Sequence, residues 1–186
     1  MKRVVILVSV ASLAIACNNQ PKATEPTTTA VKVDKSIATL SIPADVPFKA
    51  IYTNWVPGDA GNIKIMLDMY KNWDDGKIDL AEKIFADTVT FDDASGHRFT
   101  LTRPHLIDSL NKWRAYYAKN STDIVTALSL HSPDMNEDWV CIWGHGRWTD
   151  KKGKSDSSFT NDNWRFQNGK VVYGTTLEQK GILPPK

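Results

Sequence analysis

The chain has 186 residues, with 23 Lys and Arg against 21 Asp and Glu, two Cys and seven Trp. A hydrophobic share of 41% and a charged share of 24% exclude collagen-like, disulfide-rich and wholly disordered chains. A single long apolar run excludes a polytopic membrane protein, and a net charge of +2 gives no ground for expecting nucleic-acid binding.

Lys2 and Arg3 precede thirteen uncharged residues, Val4 to Ala16, and Cys17 follows at once. A basic start and an apolar run of this length are the pattern of a secretory signal. The run falls short of the roughly 20 residues a spanning helix needs. The stretch Leu13-Ala14-Ile15-Ala16-Cys17 resembles the lipobox of bacterial lipoproteins. It departs from the strongest examples by carrying Ala14 where they carry Leu. The resemblance implies cleavage before Cys17, acylation of that cysteine, and anchorage to a bacterial cell-envelope membrane on its periplasmic or cell-surface side. Several acyl chains hold a protein stably where one is marginal.

Residues 1–16 are therefore expected to be a signal peptide, 17–44 the lipidated cysteine with a flexible tether, and 45–186 the folded domain. Without Lys2 and Arg3 the formal balance becomes 21 against 21. Cys141 is then the one remaining thiol, so no intramolecular disulfide is expected in an oxidising compartment. From Asn18 to about Ser36 the chain is rich in Thr, Pro and Asn and lacks the apolar mass to offset its ordering entropy. Between Ile37 and Trp55 apolar residues return around Pro43 and Pro47, which predicts an extended segment or a short strand.

Helical spacing of Ile63, Met66, Leu67, Tyr70 and Trp73 predicts a first helix over 61–75, closed by Asp75-Gly76. Asp79 and Glu82 have the spacing of a capping box and predict a second helix, with Leu80, Ile84 and Phe85 on its apolar side. Alternation of Val89 and Phe91 with Thr88, Thr90 and Asp92 predicts a strand, and Ser95-Gly96 turns it into a short return strand at 99–101. Pro104 sits in the first turn of a third helix with the stripe Leu106, Leu110, Trp113 and Tyr117. Four long strands follow, over 123–131, 138–149, 157–167 and 170–179. Lys151-Lys152-Gly153 and Asn168-Gly169 are hairpin turns, the second of type I′. The order predicts an α+β fold with helices on one face of a curved, mainly antiparallel sheet.

The residues Asp79-Leu80-Ala81-Glu82-Lys83-Ile84-Phe85-Ala86-Asp87-Thr88-Val89-Thr90-Phe91-Asp92-Asp93-Ala94-Ser95-Gly96, the helix from Pro104, and Asp162-Asn163-Trp164-Arg165-Phe166-Gln167-Asn168-Gly169-Lys170-Val171-Val172 carry a resemblance. Over about residues 60 to 180, the chain resembles the nuclear transport factor 2-like superfamily, which includes SnoaL-like cyclases and ketosteroid isomerases. That resemblance implies a cone of three N-terminal helices on a strongly curved sheet, with a pocket at its open end and dimerisation through the outer sheet face. Fold does not fix function, because the superfamily hosts enzymes, binders and dimerisation modules.

Strand parity nominates pocket residues. Thr160, Asp162, Trp164 and Phe166 share a face, and the aromatic set is expected to face inward. On the preceding strand either set is open, with a lean to the one holding Trp143 and His145; Tyr70 and Trp164 complete the expected pocket lining. The resemblance to ketosteroid isomerases matches Asp93 to the proton-shuttling aspartate and Asp162 to the oxyanion-hole aspartate. A carboxylic acid buried in an apolar site can stay protonated and donate a hydrogen bond while a second carboxylate moves the proton. The tyrosine of that site aligns with Met69; Tyr70 lies one residue later, about 100° further round the helix, and would point elsewhere unless the loop takes up the difference. The aspartate of SnoaL-like cyclases aligns with Thr176. No metal-ligand spacing, phosphate loop or nucleophile elbow is present, so neither metal nor cofactor is expected.

Three functions compete. The first is a lipid-anchored domain that binds a small, largely apolar molecule without catalysis. The second is an isomerase-type proton-transfer enzyme using Asp93 and Asp162. The third is a dimerisation or interaction module.

Overall fold

The computed structural model describes residues 39–181. The expected signal peptide, Cys17 and most of the tether lie outside the described residues. Strands β1 (Leu40–Ser41) and β2 (Asn54–Pro57) pair antiparallel, so strand pairing starts ahead of the expected boundary at residue 45. The Asp134 carboxylate fixes this entry segment. It accepts from the backbone N–H groups of Thr53 and Asn54 at 2.8 and 2.9 Å, and from both their side chains.

Helix α1 (Ala60–Asp75) starts where the Asp59 carboxylate accepts from the Gly61 N–H at 2.7 Å. It ends at Gly76, whose φ of 70° suits the left-handed cap that only glycine adopts cheaply. Met66 on its inner face is fully buried. The expected second α-helix is instead a 3-10 helix, Ile78–Ile84. Its three-residue repeat stacks Ile78, Ala81 and Ile84 on one side and leaves Leu80 exposed. The capping box does not form: Asp79 accepts from the Asn111 side chain at 2.8 Å, and Glu82 lies 3.9 Å from Arg103.

Strands β3 (Phe85–Asp92) and β4 (Arg98–Thr102) form a hairpin, followed by α2 (Arg103–Arg114). Tyr117, expected on the helix stripe, opens β5 (Tyr117–Ser132) instead. The reason is visible at Arg114. Its guanidinium donates to the Trp73, Asp74 and Tyr117 carbonyls at 2.7, 2.9 and 3.0 Å, tying the end of α2 to the last turn of α1. A cation there also complements the negative end of the α1 dipole.

Strands β6 (Glu137–Asp150), β7 (Ser155–Gln167) and β8 (Lys170–Lys180) continue as hairpins. Asn168 and Gly169 have φ of 51° and 69°, as a type I′ turn requires. The eight strands run in the order β1-β2-β5-β6-β7-β8-β3-β4. The β3–β8 pair is parallel and the others are antiparallel. Among the described residues, two α-helices and the 3-10 helix accompany this mixed sheet. The core joins Met66, Ala81 and Leu106 to Val140, Ile142, Trp164, Phe166 and Val171 of the sheet.

Candidate functional site

Directly paired residues on neighbouring strands share a face of the sheet. Ile142, Asp162 and Thr176 therefore form one row, and Val140, Trp164 and Gly174 the next. The burial of Val140, Ile142, Trp164 and Asp162 identifies this as the core face. Gly174 is needed here, because a Cβ on it would lie 2.7 Å from the Trp164 ring and 2.8 Å from Phe91. Away from the core the same face continues as Gly144 beside Thr160, then Gly146 beside Ser158. Two glycines in successive rows leave only small side chains, Thr160 and Ser158, beside them on that part of the floor.

This parity corrects the lean on β6. Trp143 and His145 alternate with Ile142 and Gly144 and so belong to the opposite face, with Trp139 and Cys141. Trp143 is half-buried there and His145 fully buried. The β-branched pair Val140 and Ile142 fills the space beneath α1 that the lean assigned to Trp143. Trp164 does face the core, where Phe91 meets it edge-on with ring centroids 5.7 Å apart.

Asp162 is the buried carboxyl of this face, with 6% of its surface exposed. The Tyr70 hydroxyl donates to its Oδ2, and Thr160 adds a longer contact of 3.3 Å. The one-residue offset from Met69 therefore does not turn Tyr70 away from Asp162. The last turns of α1 present Tyr70, rather than Met69, to the middle of β7. Asp162 Oδ1 and Trp164 Nε1 are both buried without a hydrogen-bond partner among the described residues. Burial pushes the Asp162 carboxyl above its ordinary pKa. Hydrogen bonds from Tyr70, Thr176 and Thr160 pull it part of the way back, and the Glu178 charge pushes it further up. Burial, and then the charge of Asp162, hold the Tyr70 hydroxyl well above its ordinary value. The result is a buried carboxyl with a raised pKa, hydrogen-bonded to a phenol whose oxygen also lies near the Trp164 indole N–H.

Asp93 sits differently. Its Oδ1 accepts from the Ser95 N–H at 2.9 Å, the Ser95 hydroxyl at 2.8 Å and the His97 N–H at 3.0 Å. Those bonds, led by the His97 backbone N–H, hold its pKa below the ordinary carboxylate value. The side chain is 40% exposed. It lies one residue past the Asp92–Thr175 pair, with β8 between its strand and that of Asp162. Two strand spacings amount to about 10 Å. The structure does not bring Asp93 and Asp162 into contact.

Recesses open on the surface of the described residues. One, of about 770 Å³, lies where α1 and α2 end, against β5, β6 and β7. Another, of about 370 Å³, is lined by Tyr52, Thr90, Arg98, Trp139, Arg165 and Tyr173. Sequence reasoning did not anticipate the polar clusters beside this second recess. Arg98 grips Asp92 through two bonds of 2.6 and 2.7 Å, and the Tyr173 hydroxyl donates to Asp92 at 2.5 Å. These hold the Asp92 carboxyl down at about 2. Glu137 accepts from Tyr52 and Arg165, each at 2.7 Å. The one signal for these clusters in the sequence is the placement of Asp92 and Arg98 on either side of a turn. Among the described residues no group of three or more His, Cys, Asp or Glu could hold a metal ion.

No protein-family profile and no curated protein sequence matches the chain. Solved structures do. A protein with a ketosteroid isomerase-like fold from Catenulispora acidiphila is 16% identical, with a TM-score of 0.50, over 61% of this chain and 83% of that one. An LEH-like epoxide hydrolase from M. tuberculosis is 7% identical, with a TM-score of 0.52, over 63% and 82%. IdmH from Streptomyces antibioticus, proposed to be a polyketide cyclase, is 11% identical, with a TM-score of 0.51, over 63% and 91%. At such identities the likeness speaks for architecture alone. The chain has the nuclear transport factor 2-like fold.

Proposed function

We propose that this is a binding domain for a small, largely apolar molecule that carries one oxygen acceptor, displayed on a bacterial cell envelope by an acylated Cys17. The observation that carries the reading is the pairing of Asp162 with Tyr70 beside the Trp164 indole. Asp162 Oδ1 and Trp164 Nε1 are two buried polar atoms without a hydrogen-bond partner of good geometry among the described residues, and leaving such groups unmatched costs about 1–3 kcal/mol each. A ligand hydroxyl or carbonyl would supply the partner, and partly buried apolar side chains at the edge of the core, Met69 and Phe91 among them, would meet the rest of the molecule. A few placed polar groups in an apolar lining are the ordinary form of small-molecule sites.

The isomerase reading shares the Tyr70–Asp162 pair but needs a base. Asp93 is a poor one, because three donors of its own turn already satisfy Oδ1 and lower its proton affinity. Binding without proton transfer is therefore the better-supported function. Homodimerisation is part of the proposal, with the half-buried Trp139, Cys141 and Trp143 on the sheet face opposite the core as its contact surface.

Organic extraction of the purified protein followed by mass spectrometry tests the binding reading. One compound is expected at near-equal molar amount from the wild type and strongly reduced from Asp162→Leu. No compound from either sinks the reading. Labelling with palmitate tests the anchor: equal label on wild type and Cys17→Ser contradicts it.

A further inference from the structure

The two ends of the long strands differ in character. At one end β6 and β7 join through Lys151, Lys152, Gly153 and Lys154, all exposed. At the other, β5 and β6 join through the turn Pro133-Asp134-Met135-Asn136, where Met135 is 45% exposed. Strand β6 separates these two turns by about 40 Å along its length.

The loop from β1 to β2 lies at the Met135 end. Asp134 accepts from Thr53, its last residue, and from Asn54 just beyond. The Ile42 N–H donates to the Thr53 carbonyl at 2.9 Å, and the Ser41 hydroxyl donates to the Asn54 side chain at 2.7 Å. The base of the loop is therefore held to the domain, while its apolar side chains stay in water. Leu40, Ile42, Val46, Phe48 and Ile51 are all exposed, Phe48 by 82% and Ile51 by 73%. Single exposed apolar residues are ordinary. Five between residues 40 and 51, with Met135 next to the clamp that holds them, form a patch of the kind that marks an interaction surface.

The chemistry of the loop suits a lipid interface. Asp45 and Lys49 balance each other, so no net charge directs it toward a charged partner. Pro43 and Pro47 bring no backbone N–H to desolvate. The rest of the irregular backbone is kept out of the hydrocarbon, where unpaired N–H and C=O groups are not tolerated. At headgroup depth the Phe48 and Ile51 side chains reach the first acyl carbons, while the Lys49 ammonium returns to water.

The place of the loop in the chain names its occupant. It is the first described segment after Cys17, and the stretch from Cys17 to Leu40 spans at most about 80 Å. A bilayer held by an acylated Cys17 is always within that reach. A contact too weak to recruit a free protein is then sufficient, because tethering makes it intramolecular. We infer that the 40–51 loop, together with Met135, rests in the interface of the membrane that holds Cys17, with the lysine turn at the far end of the domain. The inference rests on the acylated cysteine of the proposed function and adds an orientation to it.

The test places one added tryptophan at either end, Phe48→Trp or Lys152→Trp, in the full chain with Cys17 intact. Both positions are exposed, so neither replacement disturbs the core. Each protein is reconstituted on vesicles of phosphatidylcholine, with or without phosphatidylglycerol, that carry 5-doxyl-phosphatidylcholine as a quencher in the upper acyl chain. Quenching is read as variant minus wild type, which removes the signal of the seven native Trp. Phe48→Trp is expected to lose about half of its added signal, as a side chain at interfacial depth does, and Lys152→Trp almost none, on both vesicles. Equal quenching of the two overturns the inference. Stronger quenching of Lys152→Trp on the anionic vesicles also overturns it, because anionic lipid then holds the lysine turn instead. Flotation of the vesicles separates the two readings. A protein that does not float overturns the anchor and this inference together, whereas one that floats without quenching at Phe48→Trp overturns this inference alone.

Discussion

Replacing Asp162 by Asn should remove a fall in stability that the wild type shows as pH rises. An unfolded aspartate titrates near 3.9, whereas burial raises the folded carboxyl above that. Between the two values the folded state holds a proton that the unfolded state has released. Stability is then fully present below about 4 and is lost as pH climbs through the folded value. Every unit of separation corresponds to about 1.4 kcal/mol. Asparagine keeps the shape and an oxygen for the Tyr70 hydroxyl but has no charged form to desolvate. Tyr70→Phe acts in the opposite sense. It deletes the donor that pulls the Asp162 pKa back down, and losing a hydrogen bond to a buried carboxyl costs about 1.5–3 kcal/mol. For a domain of this size that is roughly 5–10 °C in Tm. The assay is thermal unfolding by near-ultraviolet circular dichroism from pH 4 to 9, read as wild type minus Asp162→Asn. A difference that does not change with pH would refute the assignment of a raised carboxyl. A Tyr70→Phe variant within about 0.5 kcal/mol of wild type would refute the hydrogen bond's role.

Three further outcomes are expected. Asp92, held down at about 2 by Arg98 and Tyr173, should titrate near that value in carboxyl-carbon NMR, and Arg98→Gln should raise it toward the ordinary range. Its contribution to stability is present above about 4 and lost as pH falls through about 2. Gly174→Ala should cost about 1–3 kcal/mol, because its new Cβ displaces the Trp164 and Phe91 rings; unchanged urea unfolding contradicts this. Cys141 is half-buried and its thiol pKa is raised by burial, so it should react with Ellman's reagent more slowly than free cysteine at pH 8.

The four long strands and the first helix are legible because their periodicity continues for ten residues or more. The type I′ turn at Asn168-Gly169 is legible because few other residues accept its φ values. The second helix is not, since Ile78, Ala81 and Ile84 serve a three-residue repeat while Asp79 and Glu82 imitate a capping box. β1 and β2 are too short to alternate and depend on Asp134, some 80 residues away, for their placement.

The candidate site shows the same division. Asp162 and Trp164 face inward as their strand's aromatic parity suggests. The parity of β6 is undetermined by its sequence, because each face carries apolar residues, a glycine or a Trp. Val140 and Ile142 win because they are compact enough to pack beneath α1. The Tyr70–Asp162 contact is not legible from the alignment, because a one-residue offset matters only against the helix's rotation in the folded protein, where Met66 packs into the core.

The most direct test of the binding account is the Trp164 indole N–H resonance, assigned by Trp164→Phe. Titration with a bicyclic ketone such as 1-decalone should move that resonance downfield and saturably, and Tyr70→Phe should weaken the response. Binding of the ketone with the Trp164 resonance unmoved, or no binding at all, would contradict the placement of a ligand oxygen between Trp164 and Asp162.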